Sequence, residues 1–298
     1  MAERVGRFWQ RRVPVARPLA GVVVAITGGA RGIGAATADA LARAGARVAI
    51  GDLDTSPAQG QAGQAHAVRV WRVDVTDRDS FTGFLDQVEE AFGPLDVLIN
   101  NAGIMPLGRL ADEPEAVTAR QVEINLHAVI HGSRQAVRRM RPRGRGHIVN
   151  VASEAGKVGF AEAATYCATK HGVVGLSEAL RAELRGTGVS VSCVMPTVVR
   201  TELASGLGES PLVRPVTPQQ VAEAIVGAVA RPRFAVYVPR SLGAMNRLLA
   251  VVPRAVGDVL LRASRADRVL AGADPAARAG YEARAVQRDR PGPVDATE

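Results

Sequence analysis

Three side chains between Asn150 and Gly172, at Ser153, Tyr166 and Lys170, have types and spacing suited to moving a proton. Tyr166 and Lys170 are four residues apart, which on a helix stacks them on one face, one turn from each other. An ammonium beside a phenol stabilises the phenolate and draws its pKa from about 10 towards neutrality. A tyrosine tuned in that way serves as general acid or base. Ser153 precedes it by thirteen positions and ends an apolar run, HIVNVAS. A hydroxyl at a strand's end can hydrogen-bond the same oxygen that the tyrosine protonates. Lys157 and Lys170 are the only lysines among the 37 Lys and Arg residues. Arginine cannot stand in for lysine here, because a guanidinium keeps its proton. Taken alone, a Tyr/Lys pair at this spacing is more often an ordinary surface pair. The surrounding elements decide the matter.

Those elements alternate. GVVVAI is a short continuous apolar run, the pattern of a strand buried on both faces of a parallel sheet. It leads into Thr27-Gly28-Gly29-Ala30-Arg31-Gly32-Ile33-Gly34 and then an amphipathic helix, AATADALARAGA. Strand, glycine-rich turn and helix in that order make a cradle for a dinucleotide diphosphate, with the helix N-terminal amides facing it. A second strand, RVAIGD, ends in Asp52, where a carboxylate can bind both adenosine ribose hydroxyls and repel a 2′-phosphate. That favours NAD. Arg31 leaves NADP open, since a guanidinium in this loop can pair with a 2′-phosphate.

Thr55 to Ala67 reads as a short helix plus loop, and AVRVWRVDV as a third strand with Asp74 at its end. There Asp74 either accepts from the adenine amino group or caps the next helix. DRDSFTGFLDQVEEAFG predicts a helix stopping at Gly93-Pro94, LDVLIN a fourth strand, and Asn100-Asn101-Ala102-Gly103 a close ribose contact. Helical periodicity from about Glu115 to Arg139 carries Asn125 in its middle, either exposed or holding a water that connects the lysine to solvent. GHIVNVAS, GVSVSCVMP and FAVYVP complete a set of about seven strands. The alternation predicts an α/β, doubly wound parallel sheet with right-handed crossovers and helices on both faces.

Composition excludes several classes. Of 298 residues 47% are hydrophobic and 22% charged, an ordinary globular balance, and aromatics at 4% argue against stacking platforms for nucleic acid. The net charge of +8 comes from arginines at the N-terminus, around Arg138 to Arg145, and in the C-terminal tail, not from one stripe. Cys167 and Cys193 have neither metal-ligand nor disulfide-framework spacing, so no metal is expected. The chain has neither a run long enough to span a membrane nor the apolar core of a secretory signal, which makes cytoplasmic the expected location.

With these motifs in place the chain resembles the short-chain dehydrogenase/reductase family, in its main subfamily of about 250 residues. The resemblance runs from about Leu19 to Pro239. TGGARGIG matches the family's cofactor loop, Asp74 its adenine-contacting aspartate and NNAG its strand-four signature. Asn125, Ser153, Tyr166 and Lys170 match its four catalytic positions. The resemblance implies a Rossmann-type fold and hydride transfer between nicotinamide and a secondary alcohol or ketone. In that chemistry Tyr166 moves the proton, Ser153 polarises the oxygen, Lys170 lowers the tyrosine's pKa and binds the nicotinamide ribose, and Asn125 supports a water relay. The implied cofactor contacts are Thr27, Gly28, Arg31, Gly32, Ile33, Gly34, Asp52, Asp74, Val75, Asn101, Ala102, Gly103, Tyr166, Lys170, Pro196, Val199 and Thr201. Thr197 stands where the family usually has glycine, which bears on local loop shape and not on the chemistry.

Substrate-facing positions are expected just after the motifs, at Met105, Ser153, Glu154 and Phe160 and in the loop from Thr197 to Pro218. Most are apolar, pointing to a hydrophobic alcohol or ketone such as a steroid, retinoid or fatty-chain compound. Two alternatives stand beside this. One is a 3-oxoacyl reductase whose acidic carrier docks on the arginines from Arg138 to Arg145. The other is a sensor that binds NAD without turnover. Residues 1–18 form a basic arm, residues 19–240 the catalytic domain and residues 241–298 a helical extension ending in a disordered RDRPGPVDATE. Apolar stripes at Met245 to Val252 and Val256 to Leu261 suggest two basic amphipathic helices. Packing against protein is their ordinary use, as a cap on the cleft or against a second subunit; contact with an anionic membrane surface is not favoured. Family members commonly form homodimers or homotetramers.

Overall fold

The computed structural model describes residues 16–62, 67–208, 215–249, 251–253, 270 and 272–286. Seven strands run parallel in one sheet: β1 (Val23–Thr27), β2 (Arg47–Asp52), β3 (Val68–Arg72), β4 (Val97–Asn100), β5 (Gly146–Val151), β6 (Val189–Pro196) and β7 (Ala235–Val238). Their order is β3-β2-β1-β4-β5-β6-β7, a Rossmann-type α/β arrangement. Every residue of β1, β4 and β5 is buried, as the continuous apolar runs require of strands covered on both faces. Strand order reverses between β1 and β4, and this switch opens a crevice at the carboxyl ends of the strands.

The helices are α1 (Gly32–Arg43), α2 (Gln59–Ala62), α3 (Arg78–Phe92), α4 (Glu115–Val122), α5 (Ala128–Met140), α6 (Ala164–Glu183), α7 (Pro218–Ala230), α8 (Ser241–Leu249) and α9 (Pro275–Val286). Side-chain alternation along β1 sorts the core into two halves. Val24 and Ile26 pack with Leu41 of α1 and Ile225 of α7, whereas Val23 and Ala25 pack with Phe81 and Phe84 of α3 and Met140 of α5. Local chemistry sets the helix starts. Asp77 accepts from the Asp79 and Ser80 amides to begin α3, and Thr217 with Gln220 forms a capping box at α7.

The expected single helix around Asn125 is interrupted. A π-helical turn, Glu123–His127, separates α4 from α5 and holds Asn125 fully buried. The arginine cluster is largely engaged within the chain. Arg139 pairs with Asp86 and Glu89, and Arg143 reaches the Arg139 and Leu95 carbonyls and pairs with Asp96. Arg145 Nε also lies 3.7 Å from Asp96, so three of the cations invoked for carrier docking have partners within the chain. At the N-terminal side, Arg17 docks on the end of α7, its amide donating to Ala230 O at 2.9 Å and its Nε to Val229 O at 2.7 Å.

Of the expected tail helices, α8 takes the place of the first, while the stripe from Val256 to Leu261 lies outside the described residues, as do residues 1–15 of the basic arm and RDRPGPVDATE. Helix α9 lies in the extension expected to be helical, beyond its two apolar stripes. Its deepest residue is an arginine, Arg278, so it carries little of the apolar periodicity by which amphipathic helices are recognised. Among the described residues no helix is long and apolar enough to cross a membrane.

Candidate active site

The crevice side of the site is built by the turn between β1 and α1. Gly34 sits so close to Gly28 that a Cβ on it would lie 2.1 Å from the Gly28 carbonyl oxygen, so the turn closes only around glycine. Arg31 provides no side-chain cap, which leaves the first-turn amides of α1 open for an anionic ligand. Asp52, at the end of β2, accepts from Ala30 N at 2.9 Å and from Asp54 N at 3.3 Å. Burial raises its carboxyl pKa, and these backbone hydrogen bonds oppose the rise. Arg31 pairs with Asp54 and lies 3.6 Å from Glu202. Its guanidinium is therefore held by carboxylates.

Thr27 and Asn101 stitch the ends of β1 and β4 together. Thr27 Oγ1 accepts from the amides of Asn101 and Ala102 at 3.1 and 3.3 Å, and Asn101 Nδ2 donates to the carbonyls of Thr27 and Gly28 at 3.0 and 2.8 Å. Asp74 Oδ1 accepts from the Thr76 amide at 2.9 Å and from its hydroxyl at 2.7 Å. The capping role at α3 belongs to Asp77, and Val75 packs on the core beneath α3. Ile33, Asn101, Gly103, Pro196, Val199 and Thr201 line the floor where crevice and cavity meet. The threonine at 197 imposes no backbone strain: among the described residues Glu162 is the only non-glycine with positive φ.

Ser153 lies two residues past the end of β5 and Tyr166 and Lys170 lie on α6, so strand and helix bring the three side chains together. Ser153 Oγ accepts from Ala155 N at 3.1 Å, and Ser153 and Tyr166 line one cavity. Lys170 Nζ donates to Val151 O at 3.0 Å and lies 5.7 Å from the centroid of the Tyr166 ring. Tyr166 and Lys170 are both buried, at 7% and 5% exposure. Burial decides their protonation. It pushes the phenol up to about 12, with the Ser153 side chain opposing, and the ammonium down to about 8. In the protein frame desolvation is the first cause of both shifts.

Asn125 completes the cluster. Its Oδ1 accepts from Ile104 N at 2.8 Å, while Nδ2 donates to Ile104 O at 2.8 Å and to Thr169 Oγ1 at 3.3 Å. The side chain thus fixes the segment leaving β4 against α6. A Cβ on Gly103 would fall 3.3 Å from Asn125 Oδ1 and 3.6 Å from Lys170 Nζ, which places all three around one point.

Above the proton-handling groups lies a cavity of about 430 Å³. Met105, Glu154 and Phe160, expected to face substrate, all line it with Ser153 and Tyr166. Its remaining wall is mostly apolar, including Val158, Leu203 and Leu207. Glu154 is not turned to solvent. It is 7% exposed, its Oε2 accepts from Asn246 Nδ2 at 3.2 Å, and burial raises its pKa. Sequence reasoning missed part of the roof and its supports. Ser241, Leu242 and Leu270 of the extension line the cavity beside Met245, and Arg278 and Tyr281 of α9 bond to the backbone of Met105. In an arginine-rich tail a structural arginine carries no distinguishing local signal.

Comparison with known proteins agrees with this geometry. The family described as short chain dehydrogenase matches residues 22–211. A cis-4-hydroxycyclohexanecarboxylate dehydrogenase of Sinomonas cyclohexanicum is 40% identical over 220 residues, covering 68% of this chain and 87% of that protein. A 3-alpha-(or 20-beta)-hydroxysteroid dehydrogenase of Mycobacterium bovis is 35% identical over 213 residues, covering 70% of this chain and 82% of that protein. The crystal structure of a short-chain dehydrogenase/reductase from Burkholderia phymatum in complex with NAD superposes with a TM-score of 0.71. It is 28% identical and covers 78% of this chain and 94% of that one. The chain belongs to the short-chain dehydrogenase/reductase family and is an oxidoreductase acting on CH–OH donors.

Proposed function

We propose that the chain is an NAD-dependent dehydrogenase that interconverts a hydrophobic cyclic secondary alcohol and its ketone. The observation that carries this reading is the Ser153, Tyr166 and Lys170 cluster in the wall of an apolar cavity of about 430 Å³. Its volume falls within the range of small-molecule sites, about 300–1,000 Å³. Relatives named for a cyclohexane carboxylate and for hydroxysteroids agree with a ring-shaped substrate.

The residues at the crevice suit a dinucleotide. Open amides at α1 and the tight turn at Gly34 would hold the diphosphate, Asp52 the adenosine ribose and Lys170 the nicotinamide ribose. Asp74 and Val75 would edge the adenine, and the backbone at Val199 would meet the carboxamide. Arg31 is engaged by Asp54 and Glu202, so a 2′-phosphate would have to displace two carboxylates, which favours NAD over NADP. The bound cofactor accepts or supplies the hydride.

Everything else falls to side chains of this chain. In the ketone-reducing direction Tyr166 Oη donates its proton to the substrate oxygen, and Ser153 Oγ holds that oxygen by a second hydrogen bond. In the reverse direction Tyr166 takes the proton, and the Lys170 ammonium offsets the phenolate charge. Asn125 keeps Ile104 and Thr169 in register around Lys170. A water chain ending at Asn125 would pass the proton onward. Met105, Phe160 and Leu203 position the apolar body of the substrate, and Glu154 stands in the cavity wall as a polar contact.

The test is reduction of NAD and NADP across a panel of cyclic secondary alcohols, with Tyr166→Phe as control. Turnover with NAD that falls at least about a hundredfold in the variant is expected. A stronger response to NADP refutes the cofactor assignment. Equal turnover by the variant refutes the proton role of Tyr166.

A further inference from the structure

We infer that Arg278 is a positioning residue that sets the width of the substrate cavity, tying together two segments that the sheet itself leaves unconnected. The inference rests on reading that cavity as the alcohol site. Met105 lies in the segment leaving β4, and Leu203 and Ser205 lie in the segment leaving β6; Met105 and Leu203 both line the cavity. In the sheet β5 stands between β4 and β6, so no ladder hydrogen bond joins these segments.

The Arg278 guanidinium joins them. Nη2 donates to Met105 O at 2.7 Å, and Nη1 donates to Leu203 O at 3.1 Å and to Ser205 O at 2.9 Å. Nε donates to Glu282 Oε1 at 2.8 Å. Arg278 is only 1% exposed. A charge at that depth is tolerated when its hydrogens are met and its countercharge is close, and the fork geometry of arginine lets one group meet carbonyls on two segments. A lysine, with one nitrogen, cannot span the same three acceptors.

Neighbouring residues of α9 reinforce the clamp. Tyr281 Oη accepts from Met105 N at 2.7 Å, and Glu282 Oε1 accepts from Leu107 N at 3.4 Å. Met105 is therefore held at both its amide and its carbonyl. On the other segment, Gly206 has φ +68 and presses against the extension. A Cβ there would meet Asp274 O at 2.8 Å and Arg278 Cγ at 3.2 Å. The Asp274 amide in turn donates to Gly206 O at 2.8 Å. The extension and the post-β6 segment are fitted to each other. Leu270, just upstream of α9, lies in the cavity wall.

The consequence is selectivity by size. A cavity of fixed width favours a rigid ring system that contacts both segments at once, whereas a small alcohol touches too little of either to notice their separation. Arg278 touches neither the reacting atoms nor the crevice, so its loss should appear in substrate affinity.

The experiment uses the full chain in four forms: wild type, Arg278→Met, Arg278→Lys and Tyr281→Phe. Amide hydrogen exchange in peptides covering Met105–Leu107 and Leu203–Gly206 is read without any substrate. Steady-state kinetics at saturating NAD then compare cyclohexanol with multi-ring secondary alcohols, and NADH binding is followed by its fluorescence. Arg278→Met is expected to speed exchange in both peptides by about tenfold and to raise KM for the largest accepted alcohol by a similar factor. Its kcat and NADH affinity should stay within about threefold of wild type, and its KM for cyclohexanol should move little. Arg278→Lys should recover only part of the loss. Tyr281→Phe should loosen the Met105–Leu107 peptide alone, and it carries the test if Arg278→Met does not fold. Unchanged exchange in both peptides overturns the inference. So does a uniform rise in KM across alcohol sizes, or a loss of NADH affinity in step with KM. If the wild type turns over none of the alcohols, the proposed substrate class fails, while the exchange measurement still decides the clamp.

Discussion

Replacing Lys170 with methionine should make the protein more stable near neutral pH while disabling it. The ammonium is held at about 8 instead of its ordinary 10.5, with burial as the first cause, so the folded state binds this proton more weakly than the unfolded chain does. Between those two values the unfolded chain carries more of the proton, and stability therefore rises as pH increases through that window. Below it, the folded state bears the whole cost of a buried charge. At 1.36 kcal/mol per pH unit the displacement from 10.5 to about 8 amounts to about 3 kcal/mol. Methionine fills similar space without charge but leaves Val151 O without the Nζ hydrogen bond, a loss of about 1 kcal/mol. The net gain expected at pH 7 is about 2 kcal/mol, which for a chain of this size is about 4–8 °C in Tm.

The pH dependence carries the stronger signature. The variant-minus-wild-type difference should fall by about 3 kcal/mol as pH rises from 7 to 10.5, because only the wild type shed its buried charge on the way. Urea unfolding of both proteins across that range measures it, and the other titrating groups cancel in the difference. Turnover of the variant should drop by about two to four orders of magnitude. A variant less stable than wild type at pH 7 would refute the reasoning, and so would a difference that does not change with pH. Either result would mean that water in the cavity solvates the ammonium and that desolvation does not govern the site.

Three other substitutions probe separate parts of the site. Gly34→Ala would set a methyl 2.1 Å from the Gly28 carbonyl, so NADH affinity measured by fluorescence should fall more than about tenfold; wild-type affinity would show that the loop yields. Glu154→Gln removes a buried carboxylate whose raised pKa means that its burial is tolerated best when protonated. Its melting temperature should exceed that of the wild type at pH 7, with the gap closing as pH falls through the raised pKa towards 4.5; a gap that widens in acid would contradict the burial argument. Thr217→Ala breaks the capping box of α7 and should lower stability by about 1 kcal/mol without altering KM for NAD, read from urea midpoints and kinetics.

The sequence by itself determined the features that depend on near neighbours. The all-apolar runs of β1, β4 and β5 announce strands covered on both faces, and the glycines from Gly28 to Gly34 announce a turn that side chains would block. Tyr166 and Lys170 share a helix face through their spacing alone, and Asp52 reaches the crevice because its strand ends there. Tertiary structure decided what depends on partners far along the chain. Asn125 is held by Ile104, 21 residues away, through a π turn that a helical repeat does not reveal. Glu154 is buried beside Asn246, 92 residues on, and Arg278 grips Met105 from 173 residues away. The directions of the Tyr166 and Lys170 shifts belong to this second group. Apolar periodicity records where oily side chains must go, but a buried polar group is placed by whichever distant atoms satisfy it. The protonation of a buried pair is set by how far the assembled walls exclude water, and no local run of residues carries that information.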